Sequence, residues 1–334
     1  MFAFTVLLIL SLTGVHMATN KRDIRQETEV RLGVTMILDL HYMTHLRHSS
    51  HMTRYLKTFL NAVQLRFSDM TDPKIKLILT DVILINAAEQ EKLYDKYYVL
   101  MNTIYGSWTR SNSEYKFPQN AGIILIMTGF DLWNADPLTG DMTNSGEVNG
   151  ACTQNKKNIA LSEDDGLTFS GVGSAAQAIA RLLGASFDID RPSGECSRDK
   201  GYLLSSNYTG VSARYNLSDC GKNEIKQAIY ASDEKRKNCF FGEPTIQSSV
   251  SQVKESQELP IDFYNYTNPC NLVYGSPSCK RAWKKVDGCK LECCLKEGGN
   301  KTVNKHDGAP CKDGICSNGE CIPDPRIIKN LKEN

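Results

Sequence analysis

The sequence predicts an α/β domain with a mixed sheet and helices, followed by a small disulfide-rich module. Three apolar runs of strand length occupy residues 30–40, 75–85 and 122–127. Mostly apolar runs of this kind are typical of strands that are buried on both faces. The chain also has twelve cysteines, and eight of them lie between Cys270 and Cys321. Such crowding indicates a module held together by disulfides in an oxidising compartment.

The helices are predicted from apolar residues that recur at spacings of three and four. One such pattern covers residues 52–67, between the first two apolar runs, so the domain begins as strand, helix and strand. A second helix is expected over residues 171–184, where Gly184 is placed to end it in a left-handed conformation. A third helix is expected to begin after Ser218 or Asp219.

The first residues, MFAFTVLLILSLTGVHMA, form an apolar run that is followed by the charged segment KRDIRQE. This is the outline of a secretory signal peptide. A membrane anchor is the alternative, but the apolar stretch is short for one. From Glu243 to Glu258 the composition turns to Ser, Gln, Glu and Lys, which is typical of a linker. The expected organisation is a signal peptide at 1–18, an α/β domain at 27–242, a linker at 243–259, a disulfide-rich module at 260–322 and a flexible tail at 323–334.

The overall composition excludes some classes of partner and indicates a location. The formal net charge of +1 is too small to indicate a nucleic-acid partner. Beyond the N-terminal segment no unbroken apolar run is long enough to span a membrane. The signal segment, the cysteines and four N-x-S/T sequons together predict a secreted, extracellular glycoprotein. The sequons are at Asn207, Asn216, Asn265 and Asn300.

A series of motifs follows in order along residues 29–322. They are MILDLHYM, FLNAVQLRF, MTGFDLW, NGACT, FSGVGSAAQAIARLLGASFD, GYLLSS and CGKNEIKQAIYAS, and then LPIDFYNYTNPC through DGAPCKDGICSNGECI. The series resembles the reprolysin branch of the metzincin metalloproteases, the ADAM and ADAMTS type, and the secreted tick-salivary members in particular. The resemblance implies a metzincin-like mixed sheet with helices, and a disintegrin-like, cysteine-rich second module.

The second predicted helix has the frame of the family's zinc motif, H-E-x-x-H-x-x-G-x-x-H-D. There, three imidazoles bind Zn²⁺ and a glutamate acts as a base on the metal-bound water. By the resemblance, Gln177, Arg181 and Phe187 occupy the three histidine positions. Ala178 stands in place of the glutamate, and an arginine cation would oppose a divalent ion. The resemblance thus names zinc as the family cofactor, while these residues predict no zinc and no family reaction in this chain.

Other positions of this motif are retained. Gly184 and Asp188 match the family pattern, and Leu204 in GYLLSS stands at the methionine of the family's Met-turn, where it keeps an apolar floor. An ordinary amphipathic core helix would explain the apolar face equally well, but not the order of the motifs. A buried or half-buried Arg181 is expected to take an anionic partner, with Asp188 or Asp190 within reach.

Two further sets of residues are candidates for a metal site, one from the resemblance and one from the spacing of histidines. The acidic positions of the family's calcium site fall on Gly33 and Gln119, neither of which supplies a carboxylate. A group of histidines at the start of the domain has helical spacing, but no closed ligand set accompanies it. A solvated or pH-sensitive surface is the favoured interpretation, and metal binding is the alternative. The group comprises His41, His45, His48 and His51.

By the resemblance, the four cysteines of the first domain pair as Cys152 with Cys220 and Cys196 with Cys239. The cysteines of the second module allow too many connectivities for a choice. A zinc ribbon is the competing interpretation of that module, but it lacks regularly paired C-x-x-C motifs. These cysteines are Cys270, Cys279, Cys289, Cys293, Cys294, Cys311, Cys316 and Cys321.

The stretch CKRAWKKVDGCK concentrates basic residues around a tryptophan. Such a cluster is suited to a sulfated glycan or an acidic protein surface, with the tryptophan as an apolar anchor. A solvated basic loop is the alternative. No RGD tripeptide occurs in the chain. The basic cluster comprises Lys280, Arg281, Trp283, Lys284, Lys285 and Lys290.

The expected function is that of a secreted, catalytically inactive metalloprotease homologue that binds extracellular or host proteins or receptors. Family analogy suggests an anti-haemostatic or defence-modulating role, although a fold alone does not fix a function. No nucleic acid and no membrane span are expected. Two alternatives stay open: an active metalloendopeptidase with an atypical metal site, and a decoy for protease inhibitors or partners.

Overall fold

The structure is a computed structural model of the chain. In the part that it describes, no helix is long and apolar enough to cross a bilayer. The described residues are 28–46, 51–94, 99–100, 103–105, 114–133, 144–154, 156–188, 194, 196–205, 216–251, 257–265, 269–274, 288–295 and 298–330.

Strands and helices alternate in the first domain, and short strands dominate the C-terminal module. The strands are β1 (Glu29–Leu38), β2 (Lys74–Leu84), β3 (Val99–Leu100), β4 (Thr103–Tyr105), β5 (Ile123–Thr128), β6 (Asp131–Trp133), β7 (Asn144–Gly146), β8 (Ile159–Glu163), β9 (Lys290–Cys294), β10 (Asn300–Asn304), β11 (Pro310–Cys311), β12 (Gly314–Ser317) and β13 (Glu320–Ile322). The helices are α1 (Leu40–His45), α2 (Met52–Leu65), α3 (Ala87–Leu93), α4 (Val172–Leu183), α5 (Asp219–Tyr230), α6 (Glu234–Phe241), α7 (Ser248–Ser251), α8 (Pro260–Phe263), α9 (Pro269–Tyr274) and α10 (Pro325–Asn330).

A five-stranded mixed sheet with the order β2-β1-β5-β8-β7 forms the centre of the first domain. The edge strand β7 is antiparallel to β8, and the other neighbours are parallel. The three predicted apolar runs form β1, β2 and β5. The three predicted helices correspond to α2, α4 and α5. The fold class predicted from the sequence is therefore confirmed.

The central strands β1 and β5 are buried on both faces, as the mostly apolar runs predicted. Met36 and Leu125 face the cluster that α2 and α4 complete. Ile37 and Ile126 face a second cluster on the opposite side, together with Phe130. Adjacent residues of a strand point to opposite faces of the sheet. Because each face packs against an apolar cluster, residues on both faces are apolar.

The C-terminal module is attached to the first domain through the end of α2. Arg66 follows that helix, and its guanidinium pairs with Asp307 of the module and donates to the hydroxyl of Ser317. Only 4% and 9% of these two charged side chains is exposed. The other Asp307 oxygen accepts from the backbone N–H of Asn318 at 2.7 Å. The ion pair is therefore buried at the junction of the two parts.

The described parts of the segment predicted to be a linker lie against the first domain. Glu243 pairs with Arg31 at 2.7 Å, and the backbone N–H of Gln247 donates to Thr80 O of the edge strand β2 at 2.9 Å. Near the end of the segment, Glu258 accepts from Arg54 of α2. These polar side chains are therefore used in contacts with the domain, which the composition of the segment did not predict.

The segment predicted to be a flexible tail contains helix α10. Asp324 accepts from the backbone N–H of Arg326 at 2.9 Å at the start of this helix. The Arg326 guanidinium contacts both Asp324 and Asp262. This part of the predicted tail therefore contains a short helix that contacts the module, which the sequence did not indicate.

The two disulfides predicted for the first domain were paired wrongly. The structure joins Cys152 to Cys239 and Cys196 to Cys220. Cys152 lies beside the start of β5, where its N–H donates to Gly122 O, and α6 carries Cys239 to the same place. Cys220 is in the first turn of α5, and its N–H donates to the sulfur of Cys196. Within the described part of the module the pairs are Cys270–Cys293, Cys289–Cys316 and Cys311–Cys321.

Replacing Arg66 is expected to weaken the junction. An Arg66→Met variant leaves the Asp307 carboxylate buried without its cation, and breaking a buried pair in this way costs about 3 kcal/mol. Urea unfolding with the disulfides intact measures this free energy. Adding Asp307→Asn should restore part of the loss, and Lys237→Met, in an exposed pair with Glu234, should have little effect. Equal stability of Arg66→Met and the unchanged protein would contradict the importance of this pair.

Candidate functional site

Helix α4 lies against the edge of the sheet formed by β7 and β8. The approach to β7 is close, since a Cβ atom built on Gly146 would lie 2.8 Å from the carbonyl oxygen of Ala178. Ala178 itself is fully buried. The position at which the resemblance expects the catalytic glutamate therefore holds a methyl group inside the protein.

Gln177, at the first expected ligand position, is buried and its amide nitrogen donates to Leu203 O at 2.7 Å. The next residue, Leu204, is fully buried, and its carbonyl accepts from Asp188 N at 3.0 Å. The Asp188 carboxylate accepts from the hydroxyl of Ser218 at 2.8 Å. The predicted scaffold residues Leu204 and Asp188 therefore lie together, next to the start of α5.

Arg181 and Phe187, at the other two positions, contact each other. The Arg181 guanidinium carbon lies 4.1 Å from the centre of the Phe187 ring, which is a cation–π geometry. Its Nε atom donates to Gly146 O on strand β7 at 3.0 Å. Arg181 thus joins the helix to the edge strand. Asp190, one of its expected partners, lies outside the described residues.

These residues do not fit a zinc ion. Zinc sites in proteins use imidazole, thiolate or carboxylate ligands, whereas this place holds an amide, a guanidinium and a phenyl ring. The amide and the guanidinium already donate to backbone carbonyls.

Gly184 ends α4 as predicted. Its φ of 122° is positive, in a region of backbone conformation that favours glycine. A Cβ atom at this position would lie 2.5 Å from the Cβ of Ala228 on α5, so the turn also needs a residue without a side chain. The conformation and the close packing both explain why glycine is retained here.

The buried carboxylate of Asp164, which the sequence reasoning missed, holds the loop that leads into α4. It accepts from the hydroxyls of Tyr42 and Tyr55 at 3.0 and 2.8 Å. It also accepts from the backbone N–H groups of Gly166 and Gly171 at 3.0 and 2.8 Å. Burial raises the pKa of Asp164 to about 6, and the nearby charge of Asp165 adds to the shift. An acidic pair just before a glycine was the only sequence signal for it.

A second buried carboxylate, Asp39, lies at the end of β1. It accepts from the backbone N–H of Tyr42 at 2.6 Å, which caps α1, and from the hydroxyls of Tyr94 and Thr128. Burial raises the pKa of Asp39, although these hydrogen bonds oppose the shift. Both carboxylates therefore hold Tyr42, Asp39 through the backbone N–H and Asp164 through the hydroxyl.

The histidine group is divided among several environments. His41 lies on α1, where its ring stacks on Phe130 at 4.4 Å, and His45 ends the same helix. His51 is exposed at the start of α2, and His48 lies outside the described residues. In the described ranges, the one group with metal-ligand spacing is Cys289, Cys311 and Cys321. These cysteines are disulfide-bonded, so this group is not a metal site.

The remaining candidate residues differ in exposure, and some lie outside the described ranges. Gly33 is buried in β1, and Gln119 is exposed. The basic cluster falls outside the described residues except for Lys290, which begins β9. Of the sequons, Asn265 and Asn300 are exposed. The amide nitrogen of Asn216 donates to Asp69 at 3.3 Å, and Asn207 is not described.

Comparison with known proteins finds metalloproteinases. No family model matches the chain. A protein from Bombyx mori described as "A disintegrin and metalloproteinase with thrombospondin motifs like" is 24% identical over 314 residues, covering 86% of this chain and 43% of that protein. The chain therefore spans less than half of that relative. "A disintegrin and metalloproteinase with thrombospondin motifs 5" from Bos taurus is 29% identical over 45% of this chain and 72% of its own length.

A venom metalloproteinase and two solved structures give similar results. Venom metalloproteinase 2 from Eulophus pennicornis is 30% identical over 41% of this chain and 34% of that protein. Metalloproteinase-II from Bacteroides fragilis is 15% identical with a TM-score of 0.32, covering 61% of this chain and 55% of that one. Archaemetzincin from Methanopyrus kandleri is 11% identical with a TM-score of 0.36, covering 60% and 96%. These TM-scores are too low to support an argument. The chain is thus similar in sequence to ADAMTS-like and venom metalloproteinases.

The protonation of Asp164 should appear in the pH dependence of stability. Burial raises the pKa of this carboxyl to about 6 in the folded protein, from 3.8 for an unperturbed aspartate, so the folded state binds more protons between these pH values. Lowering the pH from 7.5 to 4.5 should therefore raise its contribution to the free energy of unfolding by about 2 kcal/mol. An Asp164→Asn variant should lack this component in urea unfolding at the two pH values. An exposed control, Asp313→Asn, should keep it, and identical pH profiles for Asp164→Asn and the unchanged protein would refute the assignment.

Proposed function

We propose that this chain is a secreted binding protein whose metalloproteinase-like domain no longer carries out a zinc-dependent reaction. The observation that carries the proposal is the use of Arg181 as a structural residue. Its side chain bonds to Gly146 O of the edge strand and packs on Phe187. A guanidinium in this place repels a divalent cation and cannot ligate it.

The proposal also rests on the lack of a base at the expected place. A metalloprotease of the resembled type needs a carboxylate beside the metal-bound water, and Ala178 has none. The buried carboxylates Asp39 and Asp164 accept hydrogen bonds from tyrosine hydroxyls and backbone N–H groups. These bonds make them structural acceptors, so neither is proposed as a replacement base.

The proposed partners are extracellular proteins or receptors of a host, with sulfated glycans as a further class. Export is supported by the signal-like N-terminus, by the exposed sequons Asn265 and Asn300 and by the five described disulfides. The tick-salivary resemblance is the reason for proposing host targets. The basic cluster around Trp283 is the proposed contact, because a tryptophan among cations can anchor an acidic surface.

Zinc analysis tests the loss of the metal site. Protein exported with its disulfides intact and dialysed without chelator should contain close to no zinc per chain. The matched variant Gln177→His/Arg181→His/Phe187→His should gain up to about one zinc per chain, because it restores the family ligand set. About one zinc in the unchanged protein, together with cleavage of gelatin that a chelator stops, would overturn the proposal in favour of an atypical active site.

Retention on heparin tests the proposed contact. A Lys284→Ala/Lys285→Ala variant should elute from immobilised heparin at lower salt than the unchanged protein, since each lost cation weakens binding to a polyanion. The control Lys235→Ala/Lys237→Ala removes two charges from α6 and should elute unchanged. Equal elution of all three proteins would mean that the cluster is an ordinary solvated loop.

A further inference from the structure

Two of the four N-x-S/T sequons lie wholly within the described residues, and the fold treats them in opposite ways. Transfer of an N-glycan joins the asparagine Nδ2 atom to the anomeric carbon of a sugar. The bond from that carbon to the diphosphate of a lipid-linked donor breaks, and the amide nitrogen loses one proton. An occupied sequon therefore needs space around Nδ2 in the folded protein.

The side-chain amide of Asn216 is enclosed by the first domain. Its nitrogen donates to a carboxylate oxygen of Asp69 at 3.3 Å, and the same oxygen pairs with Lys222 at 2.6 Å. The amide oxygen of Asn216 is buried and has no hydrogen-bond partner among the described residues. The nitrogen must be the atom that faces Asp69, since an amide oxygen in that place would repel the carboxylate.

A sugar on this amide would be directed into the protein. A substituted amide is trans, because the cis form is rare. In the trans form the anomeric carbon lies on the same side of the C–N bond as the amide oxygen. Because the oxygen of Asn216 is already buried, protein atoms occupy the space that the first sugar needs. A glycan is therefore incompatible with the native position of Asn216.

The rest of this sequon belongs to the core of the first domain. The Asn216 carbonyl accepts from Leu203 N at 2.9 Å, and Leu217 is fully buried. Ser218 is also fully buried, and its hydroxyl donates to Asp188 at 2.8 Å. The same hydroxyl caps α5 by accepting from a backbone N–H at 3.1 Å. Moving this segment outward to admit a sugar would therefore break the cap of α5 and expose Leu217.

The sequon at Asn300 lies on the surface of the C-terminal module. Asn300, Lys301 and Thr302 are all exposed. Asn300 begins β10 directly after Gly298 and Gly299, which both have positive φ. A Cβ atom built on either glycine would meet nothing within 4 Å beyond its own chain neighbours. Open space therefore surrounds the start of β10, and a glycan at Asn300 fits without any change in the fold.

Asn265 is the third sequon asparagine that the structure describes. It is exposed, and it follows α8 in a turn where its N–H donates to Asp262 O at 3.1 Å. Its φ of 48° is in the left-handed region, which asparagine adopts more readily than most residues. The position of Asn265 in an exposed turn is therefore also compatible with a glycan.

We propose that the native protein carries N-glycans at Asn300 and Asn265 and none at Asn216. The inference rests on export, which is part of the proposed function, because N-glycans are added in the secretory pathway. A glycan at Asn300 would also shield the outer edge of β10, which pairs with β9 alone among the described strands. Exposed strand edges otherwise pair readily with other chains.

Peptide mapping of the exported full chain tests the proposal. Peptide N-glycosidase in heavy-oxygen water converts each glycosylated asparagine to a labelled aspartate, so mass spectrometry reads each sequon separately. Asn300 and Asn265 should be labelled in most molecules, and Asn216 should be unlabelled. A label at Asn216, or none at Asn300 or Asn265, would overturn the inference and leave export intact. No glycan at any sequon would contradict both the inference and the export on which it rests.

Two matched variants compare the sequons one at a time. Asn207→Gln/Asn216→Gln/Asn265→Gln keeps only Asn300, and Asn207→Gln/Asn265→Gln/Asn300→Gln keeps only Asn216. On electrophoresis of exported protein, glycosidase should increase the mobility of the first variant and leave that of the second unchanged. Adding Thr302→Ala, which removes an exposed hydroxyl, should abolish the change in the first variant. A glycosidase-sensitive second variant would refute the proposal, and the peptide map of the unchanged protein decides if a variant is not exported.

Discussion

The hydrogen bonds of the buried Asp164 carboxylate hold together the part of the molecule on which the candidate site depends. Tyr42 of α1, Tyr55 of α2 and the backbone of the loop before α4 all donate to it. This one side chain therefore positions two helices and the start of a third. Burial raises the pKa of this carboxyl, because removing a carboxylate from water costs free energy. That cost is offset only if hydrogen bonds satisfy the carboxylate oxygens.

The same network extends to the C-terminal module through aromatic packing. The ring of Tyr55 stacks on Phe169 at 4.2 Å, and Phe263 of the module contacts both rings edge-on. The Phe169 N–H donates to the Tyr55 hydroxyl at 3.1 Å. The loop that leads into α4 is thus fixed from the first domain and from the module at once. Together with the buried Arg66–Asp307 pair, this packing joins the first domain to the C-terminal module.

In and after helix α4, the residues at the positions that the resemblance singles out have structural contacts of their own. Gly184 is required by its backbone conformation and by the contact with Ala228, and Asp188 accepts from the hydroxyl that caps α5. Both residues serve the fold whether or not a metal is bound. Gln177 and Arg181 donate to backbone carbonyls of the neighbouring segments, so their polar groups are satisfied without a metal. These contacts support the proposed role in binding.

The sequence by itself determined the strands β1, β2 and β5, the helices α2, α4 and α5, and the identity of the residues at Gln177, Ala178, Arg181 and Phe187. Apolar periodicity and glycine placement are local signals, so a single sequence reveals them. Only the tertiary structure decided that Cys152 pairs with Cys239, that Asp164 is buried, and that Arg181 bonds to Gly146. These facts depend on which distant segments of the chain meet. The spacing of cysteines does not specify how they pair, and the presence of a charged residue does not specify which residue it contacts.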